Sequence, residues 1–248
     1  MKTIQRIFNT FFIGLIASWG MLSCSPGNQP EQQETEDTVH TEESAMNTEE
    51  WEVLFDGSSL DKWRNFKSES LNPQWQIEEG TFTLTEQGGG DIVTKDQYED
   101  FDLVMDWKIS EGGNSGLFFH VAEADTLGTV WHSGPEYQLL DNERHPDAQY
   151  HNHRAGDNYD MQAVAKETVK PAGEWNTTRL VVNNGKVEHW LNGEKVVEYE
   201  LGSQAWEDSL AQSKFAEHPL YGRAGKGHIA LQDHGDKVWF RNIKIKKL

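Results

Sequence analysis

Three short stretches place acid–base and hydrogen-bonding side chains at alternate positions. Asn114-Ser115-Gly116-Leu117-Phe118-Phe119-His120 carries Asn114, Gly116, Phe118 and His120 on one side of an extended chain. Glu136-Tyr137-Gln138-Leu139-Leu140 sets Glu136 and Gln138 against Tyr137 and Leu139. Gly227 to Gly235 (GHIALQDHG) sets His228, Ala230, Gln232 and His234 against Ile229 and Leu231. Successive strand side chains point to opposite faces, so each stretch pairs an apolar face with one of His, Gln, Glu or Asn. A merely solvated sheet favours Lys, Thr, Ser and Glu. Imidazoles, amides and a carboxyl are instead the groups that bind hydroxyls and move protons. The pattern predicts a polar cleft on one sheet.

Several chemistries are excluded or disfavoured. Retaining glycoside hydrolysis needs two carboxyl groups about 5–5.5 Å apart. In a flat strand Glu136 and Asp141 point to opposite faces, and pairing them requires a bulge near Leu139 or Leu140. The residue between them on the polar face is Gln138, which cannot tune a neighbouring acid as Asp would. No Gly-x-Gly-x-x-Gly follows a strand, and Gly222 to Gly227 lacks the first Gly and the final Ser or Thr of a phosphate loop. Neither His-Glu-x-x-His nor Gly-x-Ser-x-Gly occurs. His151 and His153 lie two apart in a polar stretch and read as loop histidines, which are commoner than ligands. The chain has one Cys, which excludes a disulfide framework and a multi-thiolate zinc site. No cofactor is expected, and a divalent cation stays open.

Strands must position these groups. Phe101 to Ile109 (FDLVMDWKI) puts Phe, Leu, Met, Trp and Ile on one face, with charged residues at three of the four intervening positions. That is the signature of a half-buried antiparallel strand. Thr81 to Thr85 and Val238 to Ile245 alternate in the same way. Val187 to Leu191, Asn192-Gly193 and Lys195 to Tyr199 form the strongest hairpin signal, because a type I′ turn needs positive φ at both central residues. Asn183-Asn184-Gly185 marks a second tight turn. One segment, Ser203 to Glu217, reads as a helix with a Ser cap and Trp206, Leu210 and Phe215 on one side. The expected fold is therefore all-β, a jelly-roll β-sandwich of two antiparallel sheets with one short helix.

The 248 residues carry 41 acidic and 22 basic side chains, a formal charge of −19. Such a surface argues against nucleic acid and against docking by charge on anionic lipid. Ten Trp, eleven Phe and six Tyr argue for a packed core. Residues 1–23 read as a lipoprotein signal peptide: Lys2 and Arg6, an apolar run too short for a comfortable span, then Met21-Leu22-Ser23-Cys24. That last block resembles a bacterial lipobox, with Cys24 as the lipidated residue. Acylation would hold the protein at the cell envelope, on the periplasmic side or the outer-membrane surface, without spanning the membrane. Residues 24–50 are an acidic tether lacking Lys, Arg and aromatic residues. Residues 51–248 are read as one domain.

The folded part resembles a specific family. Trp51 to Leu60 (WEVLFDGSSL), Asn114-Ser115-Gly116 with its Phe-Phe strand, and Glu136 to Asn142 (EYQLLDN) carry the resemblance. So do Gly173-Glu174-Trp175-Asn176, Gly227 to Gly235 and Phe240-Arg241-Asn242-Ile243. Together they are similar to the DUF1080 family, described as 3-keto-disaccharide hydrolase-like with a concanavalin-like or laminin-G-like jelly roll. The resemblance implies an enzyme acting on 3-keto-glycosides or disaccharides. A ketone at C3 acidifies the C2 hydrogen, and the C1 leaving group lies β to that carbonyl. A base that removes H2 therefore allows elimination at C1, after which water can add.

On that reading Glu136 is the base or acid, with His234 or His120 as its proton-transfer partner. Asn114, Gln138 and Gln232 bind sugar hydroxyls, and Arg241 steadies the oxyanion. Asp141, Asn142 and His145 line the cleft mouth or hold a cation. Arg154 and Tyr159 belong to a loop over the site, and Trp131 or Trp190 stacks on a pyranose ring. The partner is an oligosaccharide or 3-keto-glycoside, with no nucleic acid and membrane contact only through the lipid; the oligomeric state stays open. A non-catalytic carbohydrate-binding module and a laminin-G-like adhesion domain are the competing readings of the same fold.

Overall fold

The computed structural model describes residues 50–248; the signal peptide, Cys24 and the tether up to residue 49 lie outside the described residues. The chain runs through β1 (Glu52–Phe55), β2 (Trp63–Asn65), β3 (Trp75–Glu78), β4 (Thr81–Leu84), β5 (Ile92–Thr94), β6 (Phe101–Ile109) and β7 (Asn114–Val121). It continues with β8 (Glu136–Leu140), β9 (Asn176–Asn183), β10 (Lys186–Leu191), β11 (Glu194–Glu200), α1 (Gln204–Leu210), β12 (His228–Leu231) and β13 (Val238–Lys247). All strand pairs are antiparallel. The larger sheet has the order β11-β10-β9-β6-β13-β4-β3, with β1 added on β13, and the smaller has the order β2-β5-β12-β7-β8. This is the two-sheet sandwich that the period of two predicts.

The apolar face of each sheet turns inward. Leu103, Met105 and Trp107 from β6 meet Leu117 and Phe119 from β7 and Tyr137 and Leu139 from β8, all of them fully buried. The two tight turns form as their residues require: Asn192 and Gly193 have φ of 51° and 87°, Asn184 and Gly185 of 49° and 80°. The helix is shorter than the apolar spacing predicts. Ser203 caps it by accepting the Trp206 amide, but Ser213 stops its continuation. The Ser213 hydroxyl donates to the Leu210 carbonyl and accepts the Phe215 amide, and Lys214 N–H goes to Asp160 Oδ2. A serine that satisfies backbone groups locally competes with the helical ladder.

A bulge in β7 decides which side chains reach the outer face of the smaller sheet. Phe118 pairs with Ala230, yet Val121 pairs with His228, so three steps on β7 match two on β12. His120 takes up the extra residue at φ 51°. Phe118 and Val121 then face outward with Val93 and Ala230, while Phe119 stays in the core.

Candidate active site

The outer face of the smaller sheet gathers the predicted polar residues around a glycine. Across β7 and β8, Asn114 lies opposite Leu140, Gly116 opposite Gln138, and Phe118 opposite Glu136. Gln232, just beyond β12, donates its amide to the Gly116 carbonyl and so extends the ladder beside Gly116. The missing side chain at Gly116 is what admits the Glu136 carboxyl. A Cβ there would lie 2.5 Å from Glu136 Oε1 and 2.7 Å from Phe118 Cε2.

Glu136 is 4% exposed, and no hydrogen bond to its carboxyl is among the influences that set its pKa. Burial pushes its pKa up to about 8; the ammonium of Lys214 opposes the shift, and the carboxylates of Asp91 and Asp147 add to it. Around it, Asn114 Oδ1, Gln138 Nε2 and Gln232 Oε1 are buried without partners. Gln138 spends its own oxygen on the Leu139 amide, which leaves its NH₂ as a free donor. Buried polar groups are rarely left unpaired, so a cluster of donors and acceptors on one face fits ligand hydroxyls.

The wall beside β8 comes from residues 156–159, which pair with its free edge. Gln138 N–H donates to Asp157, Gly156 N–H to Gln138, and Tyr159 N–H to Glu136 carbonyls. Asp157, which burial raises to about 7, anchors this segment by accepting the Arg154 and Val164 amides. Tyr159 stacks on His153 at 4.2 Å and donates to Asp147 Oδ2. His153 in turn meets Asp160 at 3.0 Å. Lys214 completes the wall, with its ammonium 4.2, 5.1 and 5.7 Å from the rings of Tyr159, Phe215 and Trp131. Trp131 packs beside Phe118 and Val130, so it borders the Glu136 end of the face.

The far end holds His145, His234 and Asp236, whose polar atoms lie within 4.8 Å of one another. This trio suits hydrogen bonding better than a cation. His145 Nδ1 accepts the Asp147 amide, which leaves its ring proton on Nε2, whereas a metal-ligating imidazole turns its N–H outward to a second partner. Asp236 Oδ2 already accepts the Asn114 amide, and His234 is half exposed.

Other predicted residues go elsewhere. His120 does not join Glu136: the bulge turns it against Phe101 and Phe119, and its Nε2 bonds the Glu99 carbonyl. His234 sits at the Asn114 end of β7, not beside Glu136. Arg241 is on the larger sheet, paired with Asp106 and lying 4.0 Å over Trp175, so it cannot serve an oxyanion at Glu136. Trp190 is on the same sheet under Arg179. Both oxygens of Asp141 accept backbone amides, from Gly112 and Glu143, which removes it from a pair with Glu136. Asn142 accepts the Ala155 amide, and Arg154 is engaged by Glu167 and the Ala148 carbonyl. The sequence reading missed Lys214 and Asp91. Lys214 lies in a segment read as helix, and Asp91 just precedes a three-residue strand that shows no alternation.

Residues 50–246 match the model of the 3-keto-alpha-glucoside-1,2-lyase-like domain. A Bacteroides thetaiotaomicron protein named 3-keto-disaccharide hydrolase is 37% identical over 225 residues, covering 79% of this chain and 78% of its own. A crystal structure from Parabacteroides distasonis, carrying a provisional glycosyl hydrolase designation, has a TM-score of 0.74 and 36% identity, covering 80% of this chain and 94% of its own. A galectin-like protein of Bacillus subtilis, 16% identical with a TM-score of 0.51 over 80% of this chain and 94% of its own, shares the fold alone. The chain belongs to the family of 3-keto-alpha-glucoside-1,2-lyase-like domains.

Proposed function

We propose that this chain is a carbohydrate-active enzyme that cleaves 3-keto-glycosides, with Glu136 as the proton-transfer group. The observation that carries this reading is the Glu136 carboxyl itself, buried above Gly116 and raised to about 8. A carboxyl so placed is a stronger base than an exposed one and can exchange a proton near neutral pH. The family description and the name of the Bacteroides relative support the substrate class.

In this reading the ionised Glu136 takes the hydrogen from C2, and the C–H electrons form the enolate between C2 and C3. Lys214 and the free NH₂ of Gln138 stabilise the negative charge on the C3 oxygen. The enolate then expels the C1 oxygen substituent, which takes the proton back from Glu136, leaving a double bond between C1 and C2 conjugated to the ketone. Addition of water at C1 with a proton at C2 completes hydrolysis. Asn114 and Gln232 bind hydroxyls, and Trp131 borders the ring. The lipid anchor at Cys24, holding the enzyme at the cell envelope, belongs to the same proposal.

The test compares a 3-keto-glucoside with its unoxidised parent. Release of the aglycone from the keto-sugar alone, lost in Glu136→Gln, is the expected result. Saturable binding of plain glycans without turnover of the keto-sugar would assign the face to a binding module instead.

A further inference from the structure

A second pocket lies on the other side of the aromatic cluster that walls the site. It encloses about 350 Å³ between α1, β11 and residues 158–162, and of the segment that walls the Glu136 face only Asn158 lines it. That volume is at the small end of ligand sites and suits one sugar ring. Tyr199 and Trp206 form its aromatic side, stacked at 5.2 Å, with Tyr221 continuing the stack behind Trp206 at 6.0 Å.

Two residues lining this pocket are nearly completely buried yet carry an unpartnered polar atom. Trp206 is 3% exposed with a free indole N–H, and Asn158 is 1% exposed with a free Oδ1. One is a donor and the other an acceptor, which a hydroxyl satisfies in either direction. Leaving both unpaired costs free energy that a bound polyol would recover. Glu198 and Glu200 also line the pocket, so an anion is disfavoured there. We propose that this pocket binds a neutral monosaccharide or polyol, as a site separate from the Glu136 face. The proposal does not depend on the reaction assigned to Glu136.

The site also has a route to the catalytic wall. Trp206, Phe215, Tyr221 and Tyr159 belong to one buried cluster, and Trp131 packs against it. Neighbouring positions 158 and 159 thus serve the two sites.

The experiment follows the Trp206 indole N–H resonance by NMR in the full chain carrying Cys24→Ser, assigned by its loss in Trp206→Phe. Glucose and glucuronate are titrated separately. Glucose should shift the resonance saturably and glucuronate should not. Ala205→Trp, which fills the pocket from α1, should abolish the shift without lowering the melting temperature; Ser209→Arg replaces it if that variant fails to fold. Glu136→Gln should leave the shift unchanged. No saturable shift, persistence of the shift in both filled variants, or its loss in Glu136→Gln would each overturn the proposal. Equal binding of glucuronate would overturn the assignment to a neutral ligand.

Discussion

At the scale of single residues, Glu136 is a carboxyl kept in an environment that opposes its charge. Because burial raises Glu136 from the ordinary 4.5 to about 8, the folded protein keeps a proton that the unfolded chain releases. The stability this contributes is fully present below 4.5 and is lost as pH rises through about 8. Asp157, raised to about 7, and Asp91, raised to about 6, act in the same direction. His189, buried and lowered to about 4, acts oppositely below its ordinary 6.5. Glu136→Gln is therefore expected to abolish turnover and to stabilise the fold at pH 9, by on the order of a few kcal/mol. Thermal melts of both proteins at pH 5 and pH 9 measure this; equal midpoints at pH 9 would remove the buried-charge argument. Gly116→Ala tests position instead of charge. Its Cβ would displace the carboxyl, so kcat should fall by roughly 10²-fold with a smaller change in KM, as expected when catalytic geometry slips by about an ångström.

At the scale of elements, alternation makes part of the site legible, and departures from regular backbone hide the rest. Asn114, Gln138, Glu136 and Gln232 were readable because β7, β8 and β12 are regular where those residues lie. His120 was misassigned because one extra residue in β7, at positive φ, breaks the period of two. Arg241 shares a compact sequence signature with the site residues, but sequence proximity does not say which sheet a strand joins. The hairpins were legible since Asn-Gly pairs have few conformational alternatives. Lys214 was invisible for the opposite reason: Ser213 ends α1 early, and the irregular segment that follows carries the ammonium to the wall. Lys214→Met should lower kcat by roughly 10²-fold, with Lys214→Arg retaining part of the activity. The methionine variant should also shift the rising limb of the pH–rate profile upward, because the cation favours ionised Glu136. A limb that does not move would detach Lys214 from the proton-transfer step.

At the scale of the whole molecule, the two sheets divide the work. The larger one closes the core and carries Trp–cation pairs on its outer side, while the smaller one carries the polar face to which we assign the substrate. The net charge of −19 over the whole chain argues against nucleic acid as a partner and is compatible with the uncharged sugar proposed. Anchoring through Cys24 is expected to place the protein in the membrane fraction, and Cys24→Ser should release it to the soluble fraction. An unchanged distribution would refute lipidation at that residue.

Removal of the C2 hydrogen by Glu136, as proposed, would leave an isotopic signature that deuterium at C2 reveals. Aglycone release from a 3-keto-glucoside carrying deuterium at C2 should be slower than from the protium form, and deuterium should pass to solvent. Neither effect should occur with Glu136→Gln. Equal rates for the two isotopologues, together with comparable cleavage of the unoxidised glucoside, would contradict the account and place bond breaking at C1 without an enolate.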